Sequence, residues 1–249
     1  MENKNVVIGW IDPGTVMSGF IAYTSQMLLH RNDLINSLVV ASGPYLSLNR
    51  NKMVEGFLQT NAEWLLSLDS DLLIDLDSFD EIIKHANKET NPIVGGKYFI
   101  PLGANIKVSA QKKHPEVVNG GQFIEDNSEL ISEPLINNLH SVGAGFMLVH
   151  RSVFETIAEN STNPYPWFQD YWQDQPYDSW ISDDIHFFKQ VHKHGFNVSL
   201  STRTTSTHLK TSKIDESVFI DFNKFNKEKN ANPLVNKRSG SWRTKGKNK

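Results

Sequence analysis

Two carboxylates separated by one residue, Asp69 and Asp71, follow the apolar run Trp64-Leu65-Leu66-Ser67-Leu68. Carboxylate oxygens hold hard cations such as Mg²⁺ or Mn²⁺, and the cation neutralises substrate phosphates. The spacing alone is weak, because a chain with 15 Asp contains such a triplet about once by chance. Asp75-Leu76-Asp77 is a second copy without an evident role. The first copy is a candidate cation site because it directly follows a predicted buried strand; capping of the next turn is the alternative.

Strand and helix patterns alternate over the first 96 residues. Apolar runs predict strands at residues 6–11, 38–41, 64–68 and 92–96. Between them, helices are predicted at 15–29, capped by Thr15, at 52–61, and at 79–88, opened by a capping box of Ser78 and Glu81. This alternation predicts an α/β fold with a mostly parallel central sheet and helices on both faces.

The second half of the chain is less regular. Hairpins and loops are expected over 101–138, a strand at 141–149, a helix at 151–159 and an aromatic-rich loop at 163–180. A helix at 182–194, capped by Ser182 and ended by Gly195, then leads to a last strand at 196–200, with His208 beyond it.

Composition narrows the protein class. The 249 residues include no Cys, which excludes disulfides and thiolate metal sites. No signal-peptide pattern and no apolar run of about 20 residues is present, so we expect a cytoplasmic protein without a transmembrane segment. The absence of a Gly-x-Gly-x-x-Gly after the first strand, and of a Walker loop, disfavours dinucleotide oxidoreductases and P-loop enzymes.

The charge is unevenly distributed. Residues 224–249 contain nine Lys/Arg and one Glu, whereas the rest of the chain is acidic. We expect one domain over residues 1–215 and a C-terminal extension over 216–249 with a basic, flexible tail. The tail could attach to phosphate-rich polymers or to anionic lipid, and a solvated terminus that aids solubility is the alternative.

Polar side chains follow each of the first three predicted strands. Asp12 follows the first, Ser42 the second, and Asp69 and Asp71 the third. In open α/β sheets, ligands bind beyond the carboxyl ends of the strands. The sequence therefore favours a nucleotide site at this edge of the sheet.

Further motifs extend in a fixed order over residues 5–210. They are Asn49-Arg50-Asn51, the segment 63–71, Ile93-Val94-Gly95-Gly96, the segment 142–148, Ser182-Asp183-Asp184-Ile185-His186-Phe187, Gly195 and His208. Together they resemble the GT-A glycosyltransferases, especially small family-2-like members encoded by bacteria and phages. The resemblance implies a Rossmann-like GT-A fold.

The resemblance also implies a donor site. Asp69, Asp71 and His208 match the metal ligands of the family, and a neutral imidazole is a sound ligand for Mn²⁺. Asp69 would also lie near the donor ribose. Arg50 matches a basic position near the nucleotide, where its planar fork suits a phosphate; an Arg–Asp brace inside the domain is the alternative. With Asp12 and Ser42, Arg50 and Asp69 form the predicted nucleotide-sugar site.

Asp183 and Asp184 match an acidic pair of the family that is usually Glu-Asp. An inverting transferase needs an anion to take the proton of the acceptor hydroxyl, and a helix N-terminus stabilises a carboxylate. Asp184 is the first candidate for this base and Asp183 the second. Helix capping is the competing role.

The acceptor side is predicted from glycines and aromatic residues. Gly143 and Gly145 would let a sugar or an acceptor approach the backbone, and tight strand packing is the alternative. Seven aromatic residues lie between 165 and 180, among them Trp172 and Trp180. Such rings stack on sugars or nucleobases, although a small core under the loop would claim part of them.

The leading hypothesis is a hexosyl- or pentosyltransferase dependent on Mn²⁺ or Mg²⁺. It would move a sugar from a nucleotide-diphosphate sugar, with a UDP-sugar favoured, to an acceptor hydroxyl. A modified base of phage DNA is one candidate acceptor, motivated by the basic tail and opposed by the acidic body; the enzyme would then act in the host cytoplasm. The alternative is a non-catalytic module that binds sugar nucleotides or glycans.

Overall fold

The structure, a computed structural model, describes residues 5–102, 105–115, 120–125, 127–173 and 179–210. The chain divides into a unit Met1–Leu209 and a unit Lys210–Lys249. The predicted domain boundary at 215/216 and the basic tail at 224–249 lie outside the described residues and stay predictions. None of the helices in the described ranges is long and apolar enough to span a bilayer.

The described residues form 16 strands and six helices. In chain order they are β1 (Val6–Asp12), α1 (Ser18–His30), β2 (Ile35–Ser42), α2 (Leu46–Leu58), β3 (Trp64–Asp69), β4 (Leu72–Ile74), α3 (Leu76–His85), β5 (Ile93–Gly96), β6 (Phe99–Leu102), β7 (Asn105–Val108), β8 (Ala110–Lys113), β9 (Gly121–Phe123), α4 (Asn127–Ser132), β10 (Leu135–Ile136), β11 (Ser141–Val142), β12 (Phe146–His150), α5 (Arg151–Glu159), β13 (Tyr171–Gln173), β14 (Ser179–Ile181), α6 (Asp183–Lys193), β15 (Val198–Ser201) and β16 (Ser206–His208).

Seven strands form the central sheet, in the order β10-β15-β5-β12-β3-β1-β2. β1 pairs in parallel with β2 and β3, and β15 pairs in parallel with β5. β12 is antiparallel to both β3 and β5, and β10 is antiparallel to β15. All strands except β12 and β10 therefore run in one direction, which confirms the predicted α/β fold with a mostly parallel sheet.

Helices cover both faces of this sheet. On one face α2, α5 and α6 contribute Phe57, Phe154 and Phe187 to the core. On the other face α1 and α3 contribute Phe20 and Phe79. Burial of these rings stabilises each helix on the sheet, because aromatic side chains remove large apolar areas from water.

The strand β3 shows how the apolar run positions the candidate cation site. Leu65 joins the core on one face, whereas Leu66 and Leu68 join the core on the other, as the two-residue period of a strand requires. β3 is buried along its apolar residues and ends at Asp69, which is partly exposed. The carboxylate therefore lies where the buried strand meets solvent.

The predicted starts of two helices are wrong. α1 begins at Ser18, not at Thr15, because Met17 is the N-cap residue and still has extended backbone angles. α2 begins at Leu46 instead of residue 52. Its first turns carry buried polar residues that interrupt the apolar pattern, namely Asn49, Arg50 and Asn51.

The predicted capping box of α3 is also wrong. Asp75 is the N-cap, and its Oδ1 accepts the N–H of Ser78 at 2.8 Å. Ser78 instead donates its hydroxyl to the Thr205 carbonyl at 2.7 Å. The helix begins at Leu76, so the second Asp-x-Asp copy has a structural role at a helix N-terminus.

Two later segments differ from their predicted form. The strand expected over 141–149 is split into β11 and β12, which pair with different sheets. The expected loop 163–180 contains the strand β13 and the start of β14, an antiparallel pair. β11 pairs with β8, which is distant in the sequence, and β13 and β14 are only three residues long. A local apolar pattern reveals neither kind of pairing.

Candidate active site

An open cleft of about 230 Å³ lies at the carboxyl ends of β1, β2 and β3. Three segments line it, each following one of these strands. They contribute Ile11, Asp12 and Pro13; Gly43, Pro44, Leu46 and Asn49; and Asp69, Ser70 and Asp71. The structure thus brings together the polar residues that the sequence places after the first three strands, with Ser42 adjoining Gly43.

Asp12 is buried at the end of β1, and its carboxylate is held by three donors. Oδ2 accepts hydrogen bonds from Trp10 Nε1 at 3.2 Å and from Ser42 Oγ at 2.9 Å, while Oδ1 accepts from the N–H of Gly14 at 2.8 Å. Asp12 therefore ties the end of β1 to the end of β2. Ser42 reaches the site through this carboxylate.

Arg50 lies buried below the cleft and joins two acidic residues. Nη1 donates to Asp183 Oδ2 at 2.7 Å, and Nη2 donates to Asp69 Oδ1 at 3.2 Å. Burial by itself lowers the pKa of Arg50, but the charges of Asp69, Asp183 and Asp184 outweigh it and raise the pKa. The guanidinium is therefore a permanent cation, and the Arg–Asp brace considered for this residue is present.

Asp71 meets His208 beside the cleft. The short antiparallel pair of β16 and β4 sets His208 opposite Leu72, and the N–H of Leu209 donates to the Asp71 carbonyl at 2.8 Å. His208 Nε2 then lies 3.2 Å from Asp71 Oδ2, and its Nδ1 lies 2.9 Å from the Phe99 carbonyl oxygen. Residues 137 positions apart in the sequence thus form one contact.

The second contact of His208 fixes its tautomer. A carbonyl oxygen only accepts, so Nδ1 carries a proton and donates to Phe99. In a neutral ring, Nε2 then presents a lone pair to the Asp71 carboxylate. Two acceptors at this separation repel each other unless a cation or a second proton lies between them. Oxygen and imidazole nitrogen are suitable ligands for a divalent cation, so the pair fits a metal.

The described residues do not by themselves complete a metal site around this pair. Over the described residues, no group of three or more His, Asp or Glu side chains is placed to hold a metal ion. Of the three predicted ligands, Asp71 and His208 are in contact, whereas Asp69 binds Arg50. A cation here would need further oxygen atoms from substrate phosphates or from water, as Mg²⁺ sites commonly do.

Asp183 and Asp184 occupy different environments in the first turn of α6. Asp183 is buried in its ion pair with Arg50, and its N–H donates to Asp170 Oδ1 at 3.1 Å. Burial raises the pKa of Asp183, while Arg50 opposes this shift. Asp184 is partly exposed and accepts hydrogen bonds from the Ser182 hydroxyl and from the N–H of Ile185. Ser182 is the N-cap residue, as predicted, although its hydroxyl donates to Asp184 instead of accepting a backbone N–H.

Gly143 and Gly145 lie against protein side chains. A Cβ at Gly145 would stand 2.5 Å from Asp69 Oδ2, and one at Gly143 would stand 2.0 Å from Tyr98 Oη. Because neither glycine has a side chain, Asp69 and Tyr98 can occupy the space beside them. Their predicted contact with an acceptor stays a prediction.

The aromatic segment divides into core and surface. Trp167 and Phe168 are buried, with Trp167 Nε1 donating to the Phe154 carbonyl at 2.9 Å. Trp172 and Trp180 are exposed and lie opposite each other in the β13–β14 pair. Tyr177 lies outside the described residues. The small core expected under this loop exists, and the two exposed tryptophans are not part of it.

Three residues beside the candidate site were not predicted from the sequence as site residues. Tyr98 is buried between Gly143 and His208, and its ring meets that of His208 edge-on at 5.5 Å. Asn49 lines the cleft and donates from Nδ2 to the Gly43 carbonyl at 2.8 Å. Asp170 anchors the N-terminus of α6. Of these three, only Asn49 was indicated by the sequence, as a polar neighbour of Arg50 in one of the motifs.

The sequence matches no known family profile and no curated protein, but solved structures match its fold. A197 from STIV, a viral protein, has a TM-score of 0.55 and 16% sequence identity, covering 83% of this chain and 86% of that chain. GalNAc-T7, solved with UDP, GalNAc and Mn²⁺, has a TM-score of 0.49 and 9% identity, covering 86% of this chain and 45% of that chain.

The likeness to A197 concerns the fold and extends over most of both chains. It agrees with the seven-stranded, mostly parallel sheet and the helices on both faces. The chain therefore has the GT-A fold, the fold of the glycosyltransferases that its sequence motifs resemble.

Proposed function

We propose that this protein is a metal-dependent glycosyltransferase that uses a nucleotide-diphosphate sugar. The observation that carries the proposal is the pair of Asp71 and His208. The Nε2 atom of His208 and the Asp71 carboxylate face each other at 3.2 Å, beside a cleft at the carboxyl ends of three parallel strands. This arrangement fits a divalent cation, either Mn²⁺ or Mg²⁺.

The cleft would hold the nucleotide part of the donor, for which a UDP-sugar is favoured. Asp12 and Asn49 offer polar groups there, and Gly43 and Pro44 form part of the wall. The chemistry that a bound divalent cation supplies in such a site is neutralisation of the charge on the departing diphosphate. Asp69 would remain paired with Arg50, because its carboxylate lines the cleft and also contacts the buried guanidinium of Arg50.

Asp184 is the group that we assign to deprotonation of the acceptor hydroxyl in an inverting transfer. Asp183 is buried and engaged by Arg50, whereas the Asp184 carboxylate is partly exposed one residue away. A general base must reach the proton that it takes, so exposure favours Asp184. Asp183 would then orient α6 through Arg50.

The test compares Asp71→Asn with Asp77→Asn. Asp77 belongs to the second Asp-x-Asp copy and is exposed in the first turn of α3, so it serves as a matched control. Thermal stability would be measured with a panel of nucleotide-diphosphate sugars, with and without Mn²⁺, followed by donor hydrolysis. We expect Mn²⁺-dependent stabilisation and hydrolysis in the wild type and in Asp77→Asn, and neither in Asp71→Asn.

The same panel separates the competing functions. If Asp71→Asn keeps the wild-type response to Mn²⁺, the metal site is wrongly assigned. If no nucleotide sugar stabilises the wild type in any metal, the transferase proposal fails. Tight donor binding without hydrolysis or transfer would instead indicate a non-catalytic sugar-nucleotide module.

A further inference from the structure

Two tryptophans form an exposed pair on the strands β13 and β14. Trp172 and Trp180 are directly opposite in the antiparallel register, and their exposed fractions are 55% and 59%. Opposite residues of an antiparallel pair project from the same face, with Cβ atoms about 5 Å apart. The two indoles therefore share one solvent-facing surface, the Trp platform.

The other face of β13 packs on α6. The ring of Tyr171 meets that of His186 edge-on at 5.6 Å, and Lys189 Nζ donates to Gln173 Oε1 at 2.7 Å. Because successive residues of a strand face opposite sides, these contacts direct Trp172 away from α6. The Trp platform is thus the outer face of an element whose inner face is held by the domain.

The start of β13 and the end of β14 both lie close to Asp183. Two residues before Trp172, Asp170 accepts the backbone N–H of Asp183 at 3.1 Å. Trp180 precedes Asp183 by three residues, so their Cα atoms are at most about 10 Å apart at the rise of an extended chain. The platform therefore adjoins the carboxylates that begin α6, among them Asp184.

The charge of this region selects among ligands. Residues 170–184 contain five Asp and no Lys or Arg. Such a segment repels a polyanion, and nucleic-acid surfaces are normally basic. Carboxylates accept hydrogen bonds from hydroxyl groups, and indole faces pack on apolar C–H surfaces. A neutral sugar chain presents both of these features.

We propose that the Trp platform binds a neutral glycan that serves as the acceptor, with sugar rings stacked on Trp172 and Trp180. This inference rests on the proposed transferase function and names its acceptor class. Because the indoles face away from α6, only a glycan that extends from the platform past the end of β14 would bring its hydroxyl groups to the carboxylates at the start of α6. One of them would thereby come within reach of Asp184.

The experiment measures binding of the full chain to an array of neutral oligosaccharides and to single-stranded and duplex DNA, followed by titration of indole fluorescence. The variants are Trp172→Ala, Trp180→Ala and the double variant. Leu29→Ala is the control, because Leu29 is an apolar residue of α1 with 72% exposure. Loss of one stacking contact should weaken glycan binding by about tenfold. The control should bind as the wild type does.

Thermal stabilisation by a nucleotide-diphosphate sugar with Mn²⁺ is measured on the same proteins and should be equal in all of them. Loss of glycan binding with an unchanged donor response supports the platform. Three outcomes overturn it: no neutral glycan binds, binding is unchanged in the double variant, or DNA binds in its place through the tryptophans. Failure of the donor response in the wild type would instead count against the transferase function, and it leaves the glycan readout intact.

Discussion

Arg50 donates from Nη1 to Asp183 Oδ2 at 2.7 Å, and the two side chains are only 6% and 5% exposed. Because Nη2 of the same guanidinium reaches Asp69, one cation connects the end of β3 with the start of α6. The proposed donor half of the site and the segment of the candidate base are thus joined by a single residue.

Arg50→Met should therefore be strongly destabilising. Removal of one partner leaves the buried Asp183 charge uncompensated, which costs about 3–5 kcal/mol of unfolding free energy. Chemical denaturation gives this value. The matched control is Arg31→Met, because Arg31 pairs with Asp80 at a site where the side chains are 29% and 42% exposed. Such a pair contributes about 0–1 kcal/mol.

Equal losses in the two Arg variants would contradict the buried brace. Adding Asp183→Asn to Arg50→Met removes the uncompensated charge and should recover part of the loss. The recovered fraction measures the coupling between the two residues.

His208→Gln should raise the Mn²⁺ concentration needed for donor binding by about tenfold or more, since each 1.4 kcal/mol of lost ligand interaction weakens binding tenfold. The measurement is a Mn²⁺ titration of thermal stability at fixed nucleotide sugar. His85→Gln is the control, because His85 Nε2 lies 3.0 Å from Glu81 on α3, a similar histidine–carboxylate pair outside the cleft. A matching loss in both variants would show that the effect is structural.

The sequence was sufficient for the parts of the site that depend on strand ends. Asp12, Ser42 and Asp69 were predicted to converge because parallel strands end at one edge of the sheet, and the cleft at that edge includes Asp12 and Asp69. The apolar run ending at Leu68 likewise predicted β3 within one residue.

No local pattern specifies the contacts between distant segments, and the contact of Asp71 with His208 was expected only through the family resemblance. The side chains of Arg50 and Asp183 are 133 positions apart, and no local pattern specifies that they pair. The split of the strand over 141–149 depends on pairing of β11 with β8. The start of α3 was predicted wrongly for a different reason, because the Asp75 side chain accepts a backbone N–H at the helix N-terminus, which the apolar period does not indicate.

The free energy of unfolding should decrease on acidification, because the surroundings of His140 in the folded protein disfavour its protonated form. This residue is buried and stacks on His192, with ring centroids 5.7 Å apart. Burial, followed by the charges of His192, Lys113 and Lys189, lowers the pKa of His140 to about 4. In the unfolded chain the His140 side chain has a pKa near 6.5. Between about pH 6.5 and 4 the unfolded state therefore binds more protons than the folded state, and the free energy of unfolding falls as the pH falls.

His140→Gln removes this titration and should flatten the dependence of unfolding free energy on pH by about 1–3 kcal/mol between pH 7 and 4. Denaturant titrations at several pH values measure the slope. His30→Gln, at an exposed residue that ends α1, should keep most of the wild-type slope. An unchanged slope in His140→Gln would contradict the assignment.

Asp184→Asn should lower kcat for transfer by about 10²–10⁴-fold, the usual contribution of a general base, while donor binding with Mn²⁺ is retained. The reason is that Asp184 is partly exposed, whereas the Asp183 carboxylate is bound by Arg50. Asp183→Asn should instead lower the melting temperature, because Arg50 then loses its buried partner. Steady-state transfer kinetics and melting curves on both variants separate the two roles. Normal turnover in Asp184→Asn, together with loss of turnover at an unchanged melting temperature in Asp183→Asn, would assign the base to Asp183.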